Sequence, residues 1–360
     1  MGNLRSKRFL RNLWALSGPG GYRRQEGQIG SKMKLGLCVV GCGAFARTFA
    51  QAMQSARDEI ELFFASRDAA RARVYAATFE GCGSFGSYAA AAADPRVEAL
   101  YICTPHHVHG EQVALAAQAG KHILVEKPIA RTLAEARAML AVAQAAGVTL
   151  MVAENYRFMA AARQCKALVE AGAVGTLRMV QLQEEAPFRP AQWRTCRDLN
   201  GGGVFIDGGI HKVDILLYLA GKPARLYAAP LPPGLPGLEA EDGVVVTTHS
   251  ASGVVGLINH SWTNVRKPPS PWVSVSGTLG RIYFEVGAPW LKLDDSSAER
   301  VWQFADDYYG LVPMVQEFRD SIREEREPEM SGAAGLEDLA VVLKVYESME
   351  QGVAVLLPPA

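Results

Sequence analysis

Short apolar runs alternate with helical spacing through the first part of the chain. Residues 35–40 (LGLCVV) carry no polar side chain and stop at Gly41, as a strand buried on both faces does. Residues 44–56 then read as a helix, 60–65 as a strand and 69–79 as a helix. Further strands are predicted at 99–103, 122–125 and 149–153. Helices are predicted at 108–119 and 133–146, stopped by Gly120 and Gly147. Strands and helices in this alternation predict an α/β domain, a parallel sheet covered on both faces.

The texture changes after residue 153. One more helix reads over 161–171, and 177–185 alternates like a half-exposed strand. A helix around 209–219 follows Gly201-Gly202-Gly203. Strand patterns then recur at 225–229, 243–250, 253–262, 273–276, 281–286 and 300–305, with loops at 230–237 and 267–271. Helices at 313–325 and 335–351 close the chain. This predicts an α+β second domain on an open, mostly antiparallel sheet. The expected division is 33–153 for the first domain and 154–360 for the second.

Composition adds little except at the start. The 360 residues are 49% hydrophobic and 21% charged, an ordinary globular balance, and the net charge is zero. That offers no electrostatic case for nucleic acid or a membrane surface, and no apolar run is long enough to span a bilayer. Residues 1–32 differ: they hold Arg5, Lys7, Arg8, Arg11, Arg23, Arg24 and Lys32 against Glu26 alone. No apolar core of a secretory signal accompanies these charges. The stretch reads as a basic extension, disordered or upstream of the functional start, because Met33 opens directly onto the first strand. An organellar presequence is the other reading. The six cysteines show no metal or disulfide spacing and read as reduced thiols of a cytoplasmic protein.

The first candidate chemistry lies between the first strand and the first helix. Gly41-Cys42-Gly43-Ala44-Phe45-Ala46 is G-x-G-x-x-A. Gly41 suits the tight turn, Gly43 lets a pyrophosphate approach the backbone, and Ala46 lets the helix pack closely. The helix N-terminus adds free N–H groups and a positive dipole end. This context predicts a Rossmann dinucleotide site. At the tip of the second strand stand Ser66 and Arg67, a hydroxyl and a guanidinium that suit a 2′-phosphate. They favour NADP over NAD, unless the strand runs longer and Asp68 takes the ribose.

Ligands bind outside the carboxyl ends of strands in such sheets, which directs attention to Thr104-Pro105-His106-His107 and to Glu126-Lys127-Pro128. His106 and His109 are candidates to line the cofactor crevice. With no well-spaced carboxylate or cysteine beside the histidines, no metal site is expected. Lys127 faces the same crevice and can shuttle the hydroxyl proton that accompanies hydride transfer. A cis Lys127–Pro128 bond would be one way to aim it. Asp207 and His211, four apart, share a helix face. His211 would hydrogen-bond a substrate hydroxyl while Asp207 sets its tautomer or pairs with Lys127. By spacing alone, a helix-start aspartate such as Asp207 is often a cap.

Taken in order, these motifs resemble the GFO/Idh/MocA oxidoreductases from about residue 33 onward. The resemblance rests on Gly41 to Ala46, on Thr104-Pro105-His106-His107-Val108-His109, and on Ala119 through Glu126-Lys127-Pro128. It continues through Glu154-Asn155-Tyr156-Arg157-Phe158 and Gly201 through Asp207 to His211. It implies catalytic roles for Lys127, Asp207 and His211. Trp193 and Arg194 would stand near cofactor and substrate, Glu126 near the cofactor, and Tyr156 and Arg157 along the pocket. It implies hydride exchange between a nicotinamide and a hydroxyl or ketone carbon of a sugar, cyclitol or related polyol, by a homodimer or homotetramer joined through the second sheet. The alternative is a glycoside-cleaving enzyme that works by transient oxidation and elimination on tightly held NAD. A member turned sensor is disfavoured by the retention of Lys127, Asp207 and His211.

Overall fold

A computed structural model describes residues 34–264, 271–295 and 297–358. The basic extension and the predicted loop at 267–271, apart from Pro271, lie outside them. Six strands form the first sheet: β1 (Leu35–Val40), β2 (Ile60–Ala65), β3 (Gly83–Phe85), β4 (Ala99–Ile102), β5 (His122–Glu126) and β6 (Leu150–Ala153). Their order is β3-β2-β1-β4-β5-β6, parallel throughout. The crossovers carry α1 (Ala44–Ala52), α2 (Ala69–Thr78), α3 (Tyr88–Ala93), α4 (His109–Gln118) and α5 (Leu133–Ala145). Every residue of β1, β4 and β6 is buried, as their apolar runs require. Each large apolar side chain withdrawn from water here contributes roughly 1.5–3 kcal/mol.

Two elements of this half escape the sequence pattern. The strand β3 is three half-buried residues without an apolar run. The helix α3 is mostly alanine and starts where Ser87 caps the Ala90 amide. The predicted helix at 44–56 is split, its last turn tightening to 3₁₀ over Met53–Ala56. The strand order reverses between β1 and β4. Their carboxyl ends therefore diverge into a crevice, which is where such sheets bind ligands.

The second sheet has nine strands: β7 (Leu177–Glu185), β8 (Pro223–Pro230), β9 (Gly243–Ser250), β10 (Val255–Ser261), β11 (Val273–Gly277), β12 (Gly280–Phe284), β13 (Trp290–Asp295), β14 (Glu299–Gln303) and β15 (Val355–Leu356). The order is β14-β13-β12-β11-β7-β10-β9-β8-β15, and among the described residues only β7 and β10 pair in parallel. Period-2 alternation sends Val180, Leu182, Val246, Ile258 and Val275 inward, and leaves Met179, Val245 and Leu257 half-buried on the other face. The patterning missed β13, which turns only Leu291 and Leu293 fully inward, and β15, which exists through its pairing with β8.

Besides a single helical turn at Arg197–Asn200, four longer helices complete the fold among the described residues: α6 (Ala160–Glu170), α7 (Ile210–Ala220), α8 (Leu311–Arg323) and α9 (Gly332–Gln351). The last two return to the first sheet. From α8, Arg319 pairs with Glu59 and Arg323 with Glu98. The Met330 carbonyl just ahead of α9 accepts from the Val152 amide on β6 at 2.9 Å. The carboxyl ends of β5 and β6 are thereby held against the start of α7.

Candidate active site

The glycine turn after β1 is built as the sequence requires. Gly41 has φ +102°, and a Cβ there would lie 2.6 Å from the Cys103 carbonyl oxygen and 3.2 Å from Thr104 Cγ2. Gly43 is the N-cap of α1, which no side chain caps, and a Cβ on Gly43 would meet nothing within 4 Å. The first-turn amides of Ala44, Phe45 and Ala46 thus border a cradle that fits a dinucleotide pyrophosphate. Ala46 is fully buried, so α1 lies close on β1. Tyr75 donates to the Gly43 carbonyl at 2.9 Å and pins the turn.

At the tip of β2, Ser66 is buried and its hydroxyl accepts from the Asp68 amide at 3.1 Å. Arg67 is exposed beside it, close enough for its charge to act on the Tyr88 hydroxyl. The fallback of a strand running long enough to reach Asp68 is corrected. The strand β2 ends at Ala65, and the Asp68 carboxylate caps α2, accepting from Ala70 and Arg71 at 3.0 and 3.2 Å.

Past β4, Thr104-Pro105 leads into a 3₁₀ turn that buries His106. His106 Nδ1 donates to the Asn200 carbonyl at 2.8 Å, and Nε2 lies 4.0 Å from Asp207 Oδ1. Its ring meets Trp193 edge-on, centroids 4.5 Å apart. Burial pulls His106 down to about 3, leaving a neutral imidazole at neutral pH. His109 does not face the crevice, contrary to expectation. Its ring is fully buried, with Nε2 3.0 Å from the Thr104 carbonyl and Nδ1 3.1 Å from that of Pro128. It ties the loop after β4 to the loop after β5.

The Lys127–Pro128 bond is cis. Lys127 Nζ donates to the Asp207 carbonyl at 2.6 Å and stands 3.6 Å from its carboxylate Oδ1. Arg194 Nε donates to Oδ2 at 2.8 Å, with its guanidinium 4.3 Å above the Trp193 ring. Burial pushes the Asp207 carboxyl up. The charges of Lys127 and Arg194 outweigh that and hold it at about 2. Next to the lysine, Glu126 is buried and accepts from the Tyr101 hydroxyl; burial pushes its carboxyl up to about 7.

Asp207 sits in a π-helical turn, Phe205–Gly209, that runs into α7, and His211 occupies the first turn of that helix. A Cβ on Gly208 would lie 2.6 Å from His260 Nε2, so glycine there lets the turn approach β10. His211 is not paired with Asp207. Its Nδ1 lies 2.5 Å from Glu154 Oε1, and its ring stacks on Tyr156 with centroids 4.0 Å apart and planes at 17°. Asp207 takes the other predicted role, as partner of Lys127. Arg157 is also corrected: its guanidinium is spent on Asp214 and on the Glu329 carbonyl, so it braces the site from behind.

Glu154 lies within the motif Glu154-Asn155-Tyr156-Arg157-Phe158, which by itself assigns it no role. The signal was present, since Glu154 directly follows β6 at the same edge that carries Thr104 and Lys127. Tyr101 and Asn200 were missed too; each acts through a partner remote in sequence.

Known proteins share this fold. Residues 35–154 match the family model described as "Oxidoreductase family, NAD-binding Rossmann fold", and 162–283 match the "GFO/IDH/MocA C-terminal domain". The chain is 29% identical to a 1,5-anhydro-D-fructose reductase of Ensifer adhaerens, over 88% of this chain and 96% of that one. It is 34% identical to the trans-1,2-dihydrobenzene-1,2-diol dehydrogenase of Mus musculus, over 69% and 74%. Among solved structures, levoglucosan dehydrogenase in complex with NADH and levoglucosan superposes with a TM-score of 0.82 at 22% identity, covering 91% of this chain and 100% of that one. Aldose-aldose oxidoreductase from Caulobacter crescentus gives 0.81 at 25% identity, covering 90% and 100%. With its glycine cradle, its lysine after β5 and its two sheets, this chain belongs to the GFO/IDH/MocA family of nicotinamide-dependent oxidoreductases.

Proposed function

We propose that the protein moves a hydride between NAD(P) and a hydroxyl- or ketone-bearing carbon of a sugar, cyclitol or related polyol. The observation that carries this reading is the placement of Lys127 Nζ 3.6 Å from the Asp207 carboxylate after β5, with His211 four residues on from Asp207 and held at Glu154 after β6. When bound, the nicotinamide supplies the hydride acceptor or donor. The chain's own groups do the rest. The amides of Ala44 to Ala46 hold the pyrophosphate. Arg67, with Asp68 committed to its helix, favours a 2′-phosphate and hence NADP. Lys127 is a donor toward a substrate oxygen that carries negative charge as its proton leaves. Asp207 holds the lysine in place, Arg194 anchors the Asp207 carboxylate, and His106 and Trp193 wall the crevice.

Relatives named for 1,5-anhydro-D-fructose, D-apiose and levoglucosan support a polyhydroxylated substrate. The half-buried face of the second sheet, with Met179, Val245 and Leu257, supports assembly through that face into a homodimer or homotetramer. The test is a panel of sugars and cyclitols offered with NAD and with NADP and followed by NAD(P)H absorbance. Turnover with release of free NAD(P)H is expected. A redox-neutral product without released NAD(P)H points to elimination instead, and no turnover across the panel overturns the substrate class. Mass measurement by light scattering tests the assembly.

A further inference from the structure

The reacting centre holds two ionisable pairs rather than one relay. Lys127 Nζ faces the Asp207 carbonyl and carboxylate, and Arg194 shares that carboxylate. His211 faces Glu154, which is fully buried and whose Oε1 also accepts from the Tyr156 amide at 3.3 Å. The amine is thus turned to acceptors, while the imidazole keeps one nitrogen, Nε2, with no hydrogen-bond partner among the described residues.

A carboxylate only accepts hydrogen bonds. The nitrogen of His211 that faces Glu154 must therefore carry the proton, and the lone pair is left on Nε2. Stacking on Tyr156 fixes the plane of the ring. Once Nε2 takes a proton, the new imidazolium stands against a carboxylate at 2.5 Å.

We propose that Glu154 is the positioning residue for His211, fixing its Nδ1–H tautomer and balancing its charge, so that His211 Nε2 is the base for the substrate hydroxyl proton while Lys127 serves as donor. This rests on the reading given under Proposed function. In the oxidative direction the substrate O–H bond breaks and an N–H bond forms at Nε2. The C–H electron pair leaves as hydride to the oxidised nicotinamide, and a C=O bond results. Reduction reverses each transfer.

The charged and titratable groups around His211 come from several elements. Glu154 follows β6, Lys127 follows β5, Asp207 lies in the π turn, Tyr156 in the 3₁₀ turn after β6, His260 on β10 and Lys212 next along α7. Burial pulls the His211 imidazole down, and Glu154 is the main group pushing it back up. Burial pushes the Glu154 carboxyl up; His211, with Lys127 and the Tyr156 amide, outweighs this, so the carboxylate form holds.

Glu154→Gln keeps the shape and removes the charge. Nitrogen-15 NMR of the imidazole, on the free protein without cofactor, reads tautomer and titration directly. The wild-type protein is expected to show Nδ1–H in the neutral form. In the variant the His211 midpoint should fall by about one pH unit or more. With substrate and cofactor, kcat should fall about a hundredfold and KM change less than about threefold. The acid limb of kcat/KM should move to lower pH with the histidine. Glu154→Asp should recover part of the loss, and a thermal melt of each variant controls for folding. A neutral His211 that carries its proton on Nε2, or a titration unchanged in Glu154→Gln, overturns the pairing. An acid limb that stays in place overturns the role in the reaction. If no polyol turns over while the NMR shift is seen, the substrate reading fails and the pairing stands.

Discussion

Two carboxylates stand in the proposed active site, and they keep different company. Asp207 shares its charge between Lys127 and Arg194 and has His106 4.0 Å away. Glu154 has His211 as its one ion-pair partner among the described residues. The first corner carries two cations against one anion, which suits a site that must tolerate negative charge on a substrate oxygen. The second is one carboxylate against one imidazole, which suits a group that gains and loses a proton. The difference teaches that neighbours in sequence, here Asp207 and His211, need not be partners in function.

The largest expected effect tests the first corner. Lys127→Met should lower kcat about a thousandfold with little change in thermal stability, measured by steady-state kinetics beside a melting curve. Activity close to wild type would dissolve the distinction between the corners. A third buried pair sharpens it from outside the crevice. Asp214→Asn leaves the buried Arg157 without its carboxylate, and chemical denaturation should show a loss of about 3 kcal/mol. In that variant the KM of the folded fraction should hold, because this pair braces the site and does not touch substrate.

Glu126 gives the pH dependence of the lysine corner. Burial raises its carboxyl to about 7 from an ordinary value of 4.5. A raised acid contributes stability in full below its unfolded pKa and loses it as pH rises through the folded one. Wild-type stability should therefore drop by about 3 kcal/mol relative to Glu126→Gln between about pH 4.5 and 8. Urea midpoints at the two ends of that window decide it; parallel lines for the two proteins would place the charge elsewhere. The smallest effect lies farthest from either corner. Arg67→Ala should raise KM for NADP about tenfold and leave NAD within about twofold. A wild-type preference for NAD would remove the case for Arg67.

The parallel sheet was legible because strands buried on both faces must read as unbroken apolar runs, as 35–40 and 60–65 do. The glycine cradle was legible because both of its demands are local: a positive φ at Gly41 and bare backbone at Gly43. Strand β3 and helix α3 were not, since a three-residue edge strand and a run of alanines carry no period of their own. The pocket residues divided along the same line. Lys127 was readable from its position after a strand. Arg157 and His109 carried the right chemistry in the right motifs, yet their polar atoms are taken up by Asp214 and by the Thr104 and Pro128 carbonyls, partners that no spacing announces.

The sequence by itself determined the alternation of strands and helices, the dinucleotide cradle, and the set of side chains available for chemistry. These follow from periodicity, from glycine's freedom at φ +102°, and from the rule that ligands gather at the carboxyl ends of strands. Tertiary structure alone decided who pairs with whom. The return of α8 and α9 to the first sheet sets α7 against the ends of β5 and β6, and a π turn carries the chain from Asp207 to His211. Asp207 thus falls to Lys127, and His211 falls to a glutamate 57 residues earlier. Hydrogen bonds are satisfied by distance in space, and only the packed fold fixes that distance.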